Sequence, residues 1–287
     1  MKTIYVHLDP TKFDFSSDLK DNSYTFSDIP EYAKVSFKQS IKYLNDEVII
    51  VTNDKIKKYN NDINDFYSLC KTYLPSHYND PFWLLTLLRI YVLYLYVKDN
   101  NINKFLHMEY DNLIYDKLQC LDKLKNGIYF TYVGPLDGGS AGIVFCNNLN
   151  NFDSFIQSII KLIKNGENKL RNITGNNIIS EMNMIHLIYR GTKDIMDYLP
   201  TLPGDKYYDE LGIVFDGASY GQFISGTNNG HDKGWAGNHH RIGSLINQNI
   251  LNVEFNFNNK KPKVTYNGKK SFIGNLHIHK KNLNEFV

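Results

Sequence analysis

Two carboxylates, Glu109 and Asp111, stand one residue apart within the largely apolar residues 104–115. In a β-strand, residues i and i+2 project to the same side, so a strand here would aim both side chains at one point. Two negative charges aimed at one point repel unless a cation lies between them, and a divalent metal ion with oxygen ligands is the usual cation. The alternative is an acidic strand end that pairs with Lys104 or Arg89, because uncompensated charges in an apolar run are costly. The first interpretation predicts an enzyme that handles a metal-bound phosphate.

A second group of candidate ligands lies near the C-terminus, where His277 and His279 are followed by Lys280. On a strand the two imidazoles share one face, and imidazole joins carboxylates as a ligand of Mn²⁺-class ions. The ammonium group of the lysine suits a phosphate. The alternative is an exposed edge strand with two solvated histidines. These residues therefore have two interpretations, a pair of metal ligands beside a phosphate contact and a solvated strand end.

Other polar residues have both a structural and a functional interpretation. Arg89 lies in an apolar helical stretch, where a structural ion pair explains it at least as well as a ligand contact. Glu181 follows Ser180, a good helix N-cap, and is either ordinary helix-start chemistry, a general base or an acceptor of sugar hydroxyl protons. Asp216 precedes two glycines, which indicate a tight turn. The histidine-rich residues 231–240 predict a lid or a plain excursion.

The elements that must position these residues alternate between strand and helix over the first 120 residues. Strands are predicted at 3–8, 47–53 and 105–113, and helices at 32–44, 63–73 and 82–97. This alternation predicts an α/β fold with a mostly parallel central sheet flanked by helices. Ligands of such sheets bind beyond the carboxyl ends of the strands. A nucleotide site is therefore expected at the polar strand ends, which comprise His7, Leu8, Asp9, Thr52, Asn53, Asp54, Glu109, Tyr110 and Asp111.

The second half of the chain is less regular. Strands are predicted at 128–133 and 141–147 around a loop at 134–140, and helices at 152–163 and 180–189. A short strand at 212–216, a mobile loop at 225–244 and late strands at 252–257 and 271–279 complete the pattern. Neither an internal repeat nor a linker divides the sequence, so one domain is expected.

Composition excludes several classes of protein. The 287 residues are 42% apolar and 22% charged, which is typical of a soluble globular protein. A net charge of +2 without a basic block does not indicate a nucleic-acid partner. The N-terminus lacks the apolar core of a secretory signal, and the longest apolar run, 82–97, is too short and too mixed to span a bilayer. Three widely spaced cysteines favour a reducing cytosol.

Taken in order, these motifs resemble those of the GT-A glycosyltransferases, which use a nucleotide-sugar donor and a divalent metal. The DxD motif of that family is matched by Glu109-Tyr110-Asp111 as an ExD variant, and its C-terminal histidine and lysine by residues 276–280. The resemblance is strongest to glycosyltransferases encoded by large DNA viruses and to their bacterial relatives. The matching segments are Phe82-Trp83, Arg89, His107 to Asp111, Asp216 to Gly221 and Leu276 to Lys280.

The resemblance implies a GT-A, Rossmann-like nucleotide-diphospho-sugar transferase fold over residues 1–287. Residues 1–125 would form the nucleotide-sugar-binding half, and residues 126–287 the acceptor half with a C-terminal metal-binding strand. The donor would be a nucleoside diphosphate sugar, with a UDP-sugar favoured, and the cofactor Mn²⁺ or Mg²⁺. The implied metal ligands are Asp111, either His277 or His279, and Glu109, which alternatively serves the ribose; the implied diphosphate contact is Lys280.

The acceptor, a glycan or a protein-linked group, would enter past Gly139, Ser140 and Glu181. An inverting enzyme needs a general base, for which Glu181 is the first candidate and Asp216 the second; a retaining enzyme needs none. A cytoplasmic location is expected, in the host cytoplasm if the protein is viral. The alternatives are a metal-dependent hydrolase that uses the two histidines and the acids, and a non-catalytic carbohydrate-binding protein.

Overall fold

The computed structural model describes residues 1–8, 29–44, 47–76, 81–135, 138–192, 194–228 and 230–287. Asp9, one of the predicted strand-end residues, lies outside this set, as do residues 136 and 137 of the predicted loop. In chain order the described strands are β1 Lys2–Val6, β2 Val48–Val51, β3 Phe105–Met108, β4 Asn112–Ile114, β5 Ile128–Gly134, β6 Gly138–Cys146, β7 Met196–Leu199, β8 Ile213–Val214, β9 Leu251–Asn256, β10 Lys261–Tyr266, β11 Lys269–Ile273 and β12 Asn275–His277.

Six of these strands form a central sheet in the order β2-β1-β3-β6-β5-β7. The pairs β1–β2, β1–β3 and β5–β7 are parallel, whereas β3–β6 and β5–β6 are antiparallel. The predicted α/β architecture with a mostly parallel sheet flanked by helices is therefore confirmed. Because β3 pairs with β6, the sheet draws strands from both predicted halves of the chain, 1–125 and 126–287.

The described α-helices are α1 Glu31–Leu44, α2 Asn53–Ile56, α3 Asn60–Tyr73, α4 Pro81–Asp99, α5 Leu149–Lys164, α6 Glu167–Thr174, α7 Glu181–Gly191, α8 Tyr208–Leu211, α9 Ser219–Ser225 and α10 Arg241–Asn247. Helices α3, α4, α5 and α7 bury their apolar side chains in one core, on one face of the central sheet. Helix α1 packs on the other face, where the Phe37 ring lies 4.6 Å from that of Tyr5. Neither α4 nor any other described helix has the length and apolar character needed to cross a membrane.

Capping side chains fix where two of these helices begin. Asn148 accepts hydrogen bonds from the backbone N–H groups of Asn150 and Asn151 at the start of α5. Ser180 and Asn183 form a reciprocal capping box at the start of α7, as expected for a serine in this position. The predicted helix start at Ser180 is confirmed, and it places Glu181 in the first turn.

A second, four-stranded sheet has the order β8-β11-β10-β9, and β4 pairs with β12 outside both sheets. The prediction missed β10, which joins β11 through Asn267 and Gly268 with φ values of 48° and 73°. This Asn-Gly pair is the preferred sequence of a two-residue hairpin turn. The predicted strand 271–279 is wrong as a single element, because it is interrupted at Gly274 and continues as β12 in a different pairing.

Two predicted loops are shorter than expected. Strand β5 continues to Gly134 and β6 begins at Gly138, so Gly139 and Ser140 lie in the central sheet and not in a loop. The segment predicted as a mobile loop at 225–244 ends in helix α10, which begins at Arg241. Both stretches were assigned to loops because they are rich in glycine. A sheet nevertheless accepts glycine where another element packs closely, as it does at Gly139.

Replacing Gly221 with alanine should destabilise the fold, because α9 lies directly against β12 at this point. An added Cβ would lie far inside van der Waals contact with the carbonyl oxygen of His277, which is backbone and cannot rotate away. We expect Gly221→Ala to lower the free energy of unfolding by about 3 kcal/mol, measured by urea denaturation.

Gly191→Ala is the matched control. A Cβ at Gly191 meets nothing within 4 Å, so this change should leave stability equal or slightly raised. Equal unfolding midpoints for the two variants would contradict the close packing of α9 on β12.

Candidate metal centre and its cavity

The two carboxylates of the ExD motif lie in a tight turn and not in a strand. Strand β3 ends at Met108, and the N–H of Asn112 donates to the carbonyl oxygen of Glu109 at 3.0 Å, which closes the turn. The N–H of Glu109 still donates to Gly142 in β6 at 2.9 Å. The prediction that Glu109 and Asp111 face one point holds, but the reason given for it, strand alternation, is wrong.

Pairing of β4 with β12 brings His277 to this turn, because His277 lies opposite Asn112. The Nε2 atom of His277 is 3.1 Å from Oε2 of Glu109 and 3.2 Å from Oδ1 of Asp111. One ligand atom from each of the three residues lies within 4.8 Å of the others. The structure therefore brings together the acids and the C-terminal histidine that the sequence analysis had combined into one site.

The hydrogen bonds of His277 suit a metal ligand. Its Nδ1 lies 3.0 Å from the carbonyl oxygen of Gly217, and since a carbonyl only accepts, Nδ1 carries the proton. A backbone carbonyl on one ring nitrogen is the usual partner that orients a metal-ligating histidine and leaves Nε2 to the metal. Two carboxylates and one imidazole form a donor set that fits Mn²⁺ or Mg²⁺ better than a soft metal.

The buried carboxylate of Asp216 holds this arrangement in place. Its Oδ1 accepts from the backbone N–H groups of Ala218 and Tyr220 at 2.9 and 3.0 Å. Its Oδ2 accepts from those of Gly221 and His277 at 2.7 and 3.0 Å. Burial raises the pKa of this carboxyl group, and the N–H donors oppose the shift because they stabilise the ionised form. The contacts of Asp216 are those of a turn and helix anchor, and its side chain is not among those lining the cavity described below.

Opposite charges surround the two candidate carboxylate ligands. Arg89 forms an ion pair with Glu109, and Lys281 forms one with Asp111. Burial raises the pKa of Glu109, but Arg89 and His277 outweigh it and bring the pKa to about 2. Burial also opposes ionisation of Asp111, yet His277 and Lys281 hold its pKa well below the usual range. Both acids are thus ionised and available as ligands at neutral pH.

His277 carries the complementary charge. Burial lowers its pKa, but the two carboxylates raise it more strongly, to well above the usual value. Its imidazolium therefore lies between Glu109 and Asp111 and neutralises part of their charge. A divalent cation at this point would replace a proton, since an imidazole ligand must be neutral.

A cavity of about 710 Å³ opens at the three candidate ligands. Aromatic rings form much of its wall, from Tyr32, Phe82, Trp83 and Trp235. The ring of His231 stacks on that of Trp235 at 3.8 Å with an angle of 4° between their planes. Volumes of about 300–1,000 Å³ are typical of small-molecule sites, and aromatic walls are typical of their apolar part. The segment predicted as a lid therefore lies at the cavity wall.

Glu181 also faces this cavity. It is buried, and Thr86 contacts its Oε2 at 2.7 Å through Oγ1. Burial raises the pKa of Glu181, against the lowering effects of Thr86 and of the positive charge of Arg89. A carboxylate with a raised pKa is a better proton acceptor than an ordinary one.

Of the two lysines that follow the histidines, the structure places Lys281 and not Lys280 at the cavity. Lys280 points away from the site and lies 3.7 Å from Asp232, whereas Lys281 lines the cavity and pairs with Asp111. The expectation that Lys280 serves a bound phosphate came from its place directly after the histidines and from the family resemblance. Strand β12 ends at His277, and the backbone turns at Lys281, which has a φ of +60°.

Other predicted residues lie around the site without reaching the candidate ligands. His279 lines the cavity beside His277, with 4.5 Å between ring centroids, and its Nε2 has no hydrogen-bond partner among the described residues. The group with metal-binding geometry nevertheless contains His277 and not His279. Ser140 lines the cavity and accepts from the N–H of Gly142 at 3.0 Å, whereas Gly139 packs tightly against Tyr198.

The predicted nucleotide-binding strand ends divide into two groups. His7 is buried and its ring lies 5.1 Å from that of Tyr110, which lines the cavity. Leu8 is buried in the core next to it. Thr52 and Asp54 line a separate recess, and Asn53 between them is buried.

Comparison with known proteins gives weak structural likenesses. No protein-family model and no curated protein matches the chain. Mouse xyloside xylosyltransferase 1 in its apo form aligns with a TM-score of 0.44 and 8% identity, over 73% of this chain and 92% of that one. Two structures of glycosyltransferase GlyE from Streptococcus pneumoniae TIGR4 align with TM-scores of 0.35 and 0.34 and identities of 11% and 12%, over 69% and 77% of this chain and 44% and 47% of those. These likenesses are too weak to assign a family or a function.

The fold and the site by themselves define an α/β protein with a candidate carboxylate–imidazole metal centre at the floor of an aromatic cavity. The residues of this site, and not the similar structures, indicate what chemistry it can support.

Mn²⁺ should stabilise the protein, because the ion binds a site that exists only in the folded chain. We expect a stabilisation of about 2.7 kcal/mol when free Mn²⁺ is about 100 times its Kd. Asp111→Asn should abolish the rise in unfolding temperature. Asp122→Asn, which alters an exposed ion pair with Lys104, is the matched control and should keep the full rise. A rise that survives Asp111→Asn would contradict the assignment of this ligand.

Proposed function

We propose that the protein is a divalent-metal-dependent glycosyltransferase of the GT-A fold. It would move a sugar from a nucleoside diphosphate sugar, with a UDP-sugar favoured, to a glycan or a protein-linked acceptor. The observation that carries the proposal is the convergence of Glu109, Asp111 and His277, with Lys281 beside them, at the floor of one cavity. Two acids and one imidazole can hold a divalent ion, and the ammonium group of a neighbouring lysine can contact diphosphate oxygens.

Each residue of the site would have a separate role. Glu109, Asp111 and His277 would hold Mn²⁺ or Mg²⁺, which when bound supplies Lewis-acid stabilisation of the negative charge on the leaving diphosphate. Lys281 would turn from Asp111 towards the diphosphate oxygens once the carboxylate has a stronger partner. Arg89 would hold Glu109 in position and keep it ionised.

The acceptor half of the proposal depends on Glu181. Its carboxylate faces the cavity and its pKa is raised by burial, so in an inverting enzyme it would accept the proton of the acceptor hydroxyl. In a retaining enzyme the same carboxylate would hold a sugar hydroxyl. We propose that Asp216, the second candidate for a base, instead acts as a structural anchor, because four backbone N–H groups already occupy its two oxygens.

The proposal also gives each half of the chain a role, donor binding for the first and acceptor binding for the second. Residues 1–125 supply both acids and would bind the donor, while residues 126–287 supply Glu181 and His277 and would receive the acceptor. Cys70, Cys120 and Cys146 are all free thiols, which supports a reducing compartment such as the cytoplasm. The order of motifs supports a relationship to the glycosyltransferases of large DNA viruses and bacteria.

A metal-dependent hydrolase built on both histidines is less well supported. Such a site would use His277 and His279 as a pair of ligands, but only His277 joins the two acids in the described group. A non-catalytic carbohydrate-binding protein would not need an ionised, buried pair of acids.

UDP should stabilise the protein only when Mn²⁺ is present. In a thermal-shift panel of UDP, GDP and their sugars, with and without Mn²⁺, we expect the largest rise for UDP or a UDP-sugar with Mn²⁺. No stabilisation by any nucleoside diphosphate in Mn²⁺ would overturn the proposal. Stabilisation by Zn²⁺ together with phosphoester hydrolysis would favour the hydrolase, and stabilisation by free sugars alone the carbohydrate-binding protein.

The neighbouring lysines provide an internal control for the diphosphate contact. Lys281→Gln should weaken UDP binding in Mn²⁺ about tenfold, because a charge-assisted hydrogen bond contributes about 1.5 kcal/mol or more. Lys280→Gln removes the same charge one residue away, from a side chain that points out of the cavity, and should have little effect.

Glu181→Gln should separate chemistry from donor binding. For an inverting enzyme we expect a loss of about 10²–10⁴-fold in turnover, measured as UDP release from UDP-sugars with a panel of simple sugar acceptors. The stabilisation by UDP and Mn²⁺ should be unchanged, since the residue does not contact the candidate ligands. Turnover equal to that of the unaltered protein would remove Glu181 from the role of base.

A further inference from the structure

The sheet formed by β8, β11, β10 and β9 has one buried and one open face. Val253, Val264 and Ile273, one from each of its three longer strands, point inward and are at most 9% exposed. Side chains alternate across a strand, so their neighbours along each strand point outward. No described element covers that outward side, on which the residues of β9, β10 and β11 are half-buried or exposed.

The outward residues form what we call the basic face, composed of Glu254, Lys261, Lys263, Lys270 and Phe272. The register places Glu254, Lys263 and Phe272 in one row across the three strands. Glu254 pairs with Lys270 at 3.0 Å. In the part of the chain that the structure describes, no carboxylate lies within ion-pair distance of Lys261 or Lys263.

Charge is segregated onto this part of the molecule. Residues 251–273 contain five lysines and a single acidic residue, a net charge of +4. The whole chain has a formal net charge of only +2, so the remaining residues together carry −2. The net charge of the whole chain does not show this asymmetry, because it sums the charges of all residues.

Exposed aromatic rings lie among these lysines. Phe272 is 43% exposed, and the ammonium groups of Lys261 and Lys263 lie 5.4 and 5.1 Å from its ring centroid. Phe257, at the end of β9, is 52% exposed with the ammonium of Lys260 at 5.5 Å. Two exposed rings among lysines combine apolar and cationic groups on one surface, the combination that an anionic lipid boundary accommodates.

We propose that the basic face docks on the anionic lipid headgroups of a membrane surface. Lysines near an anionic surface contribute about 1 kcal/mol each, and phenylalanine at the headgroup boundary adds apolar burial. Lysine ammonium groups reach headgroup phosphates while their aliphatic stems and the Phe272 ring remain at the apolar boundary.

This chemistry fits a lipid surface better than a nucleic acid. A base would need an open ring face for stacking, and two ammonium groups already lie over the ring of Phe272. The face also carries the carboxylate of Glu254 in its central row, which a phosphate backbone would have to approach. The basic face is separate from the metal centre, so the docking proposal does not depend on the function of that centre.

Vesicle flotation of the full chain tests the proposal. The probes are vesicles of phosphatidylcholine alone and with about 30% phosphatidylserine, in about 0.1 M NaCl. We expect flotation only with phosphatidylserine and loss of binding at high salt. The triple variant Lys261→Gln, Lys263→Gln and Lys270→Gln should lower partitioning about a hundredfold, or about fivefold for each lysine. Phe272→Ala should lower it about tenfold without changing net charge.

A second triple variant controls for net charge. Lys125→Gln, Lys161→Gln and Lys164→Gln removes three exposed charges from other elements and should leave flotation unchanged. Equal loss in both triple variants, or equal flotation with both kinds of vesicle, would overturn the proposal. All variants should keep the wild-type unfolding temperature, because the altered side chains lie at the surface.

A single-stranded oligonucleotide supplies the competing outcome. Tight binding of the oligonucleotide that is lost in the first triple variant, with no flotation on phosphatidylserine vesicles, would assign the face to nucleic acid and refute membrane docking. Flotation that is unaffected by excess oligonucleotide supports the lipid surface. Stabilisation by UDP and Mn²⁺ should be the same in every variant, which keeps this test independent of the glycosyltransferase proposal.

Discussion

The carboxylate of Asp216 is the interaction on which the geometry of the centre depends. It accepts four backbone N–H groups that come from the start of α9 and from His277 in β12. Strand β12 is only three residues long and pairs with an equally short β4, so strand pairing alone would hold it weakly. Because the anchor is buried, replacing Asp216 with alanine would leave four buried N–H donors without their partner. The position of His277 is therefore fixed by the short β4–β12 pairing together with the Asp216 anchor.

A second constraint is the balance of buried charge. Glu109 and Asp111 would repel each other at this distance, and the structure compensates them with Arg89, His277 and Lys281. Removing one partner from a buried ion pair leaves an uncompensated charge, which is strongly destabilising. If a divalent cation binds here, His277 would have to give up one proton, and Lys281 could then turn away from Asp111. The same charges that would give way to the ion stabilise the acids without it.

The alternation of strands and helices was sufficient to predict the α/β fold, whereas the expectation that Asp111 and one of the two C-terminal histidines share a site came from the family resemblance. The sequence was insufficient where tertiary contacts end an element. The acids lie in a turn because β3 stops at Met108, and no periodicity in the sequence marks that end. Strand β10 was not predicted; it contains Pro262, which lies near its start and before its pairing with β11 begins at Lys263. The place of Lys281 in the cavity was not predicted, because the resemblance pointed to Lys280, and the turn at Lys281 lies beyond the end of β12.

Gly274 connects the two surfaces for which a function is proposed. Its N–H donates to Val214 at 2.8 Å and its carbonyl oxygen accepts from Tyr115 at 2.9 Å, so the chain changes partners here from β8 to β4. Before this residue, β11 presents Phe272 outward on the basic face; after it, β12 carries His277 into the cavity. One short segment thus supplies a side chain to an external surface and a ligand to an internal one. A residue without a side chain suits the junction, because Leu118, Ile213 and Phe215 crowd the place where a Cβ would stand. Packing around Gly274 therefore sets the position of the basic face relative to the metal centre, although the two surfaces differ in chemistry and in partner.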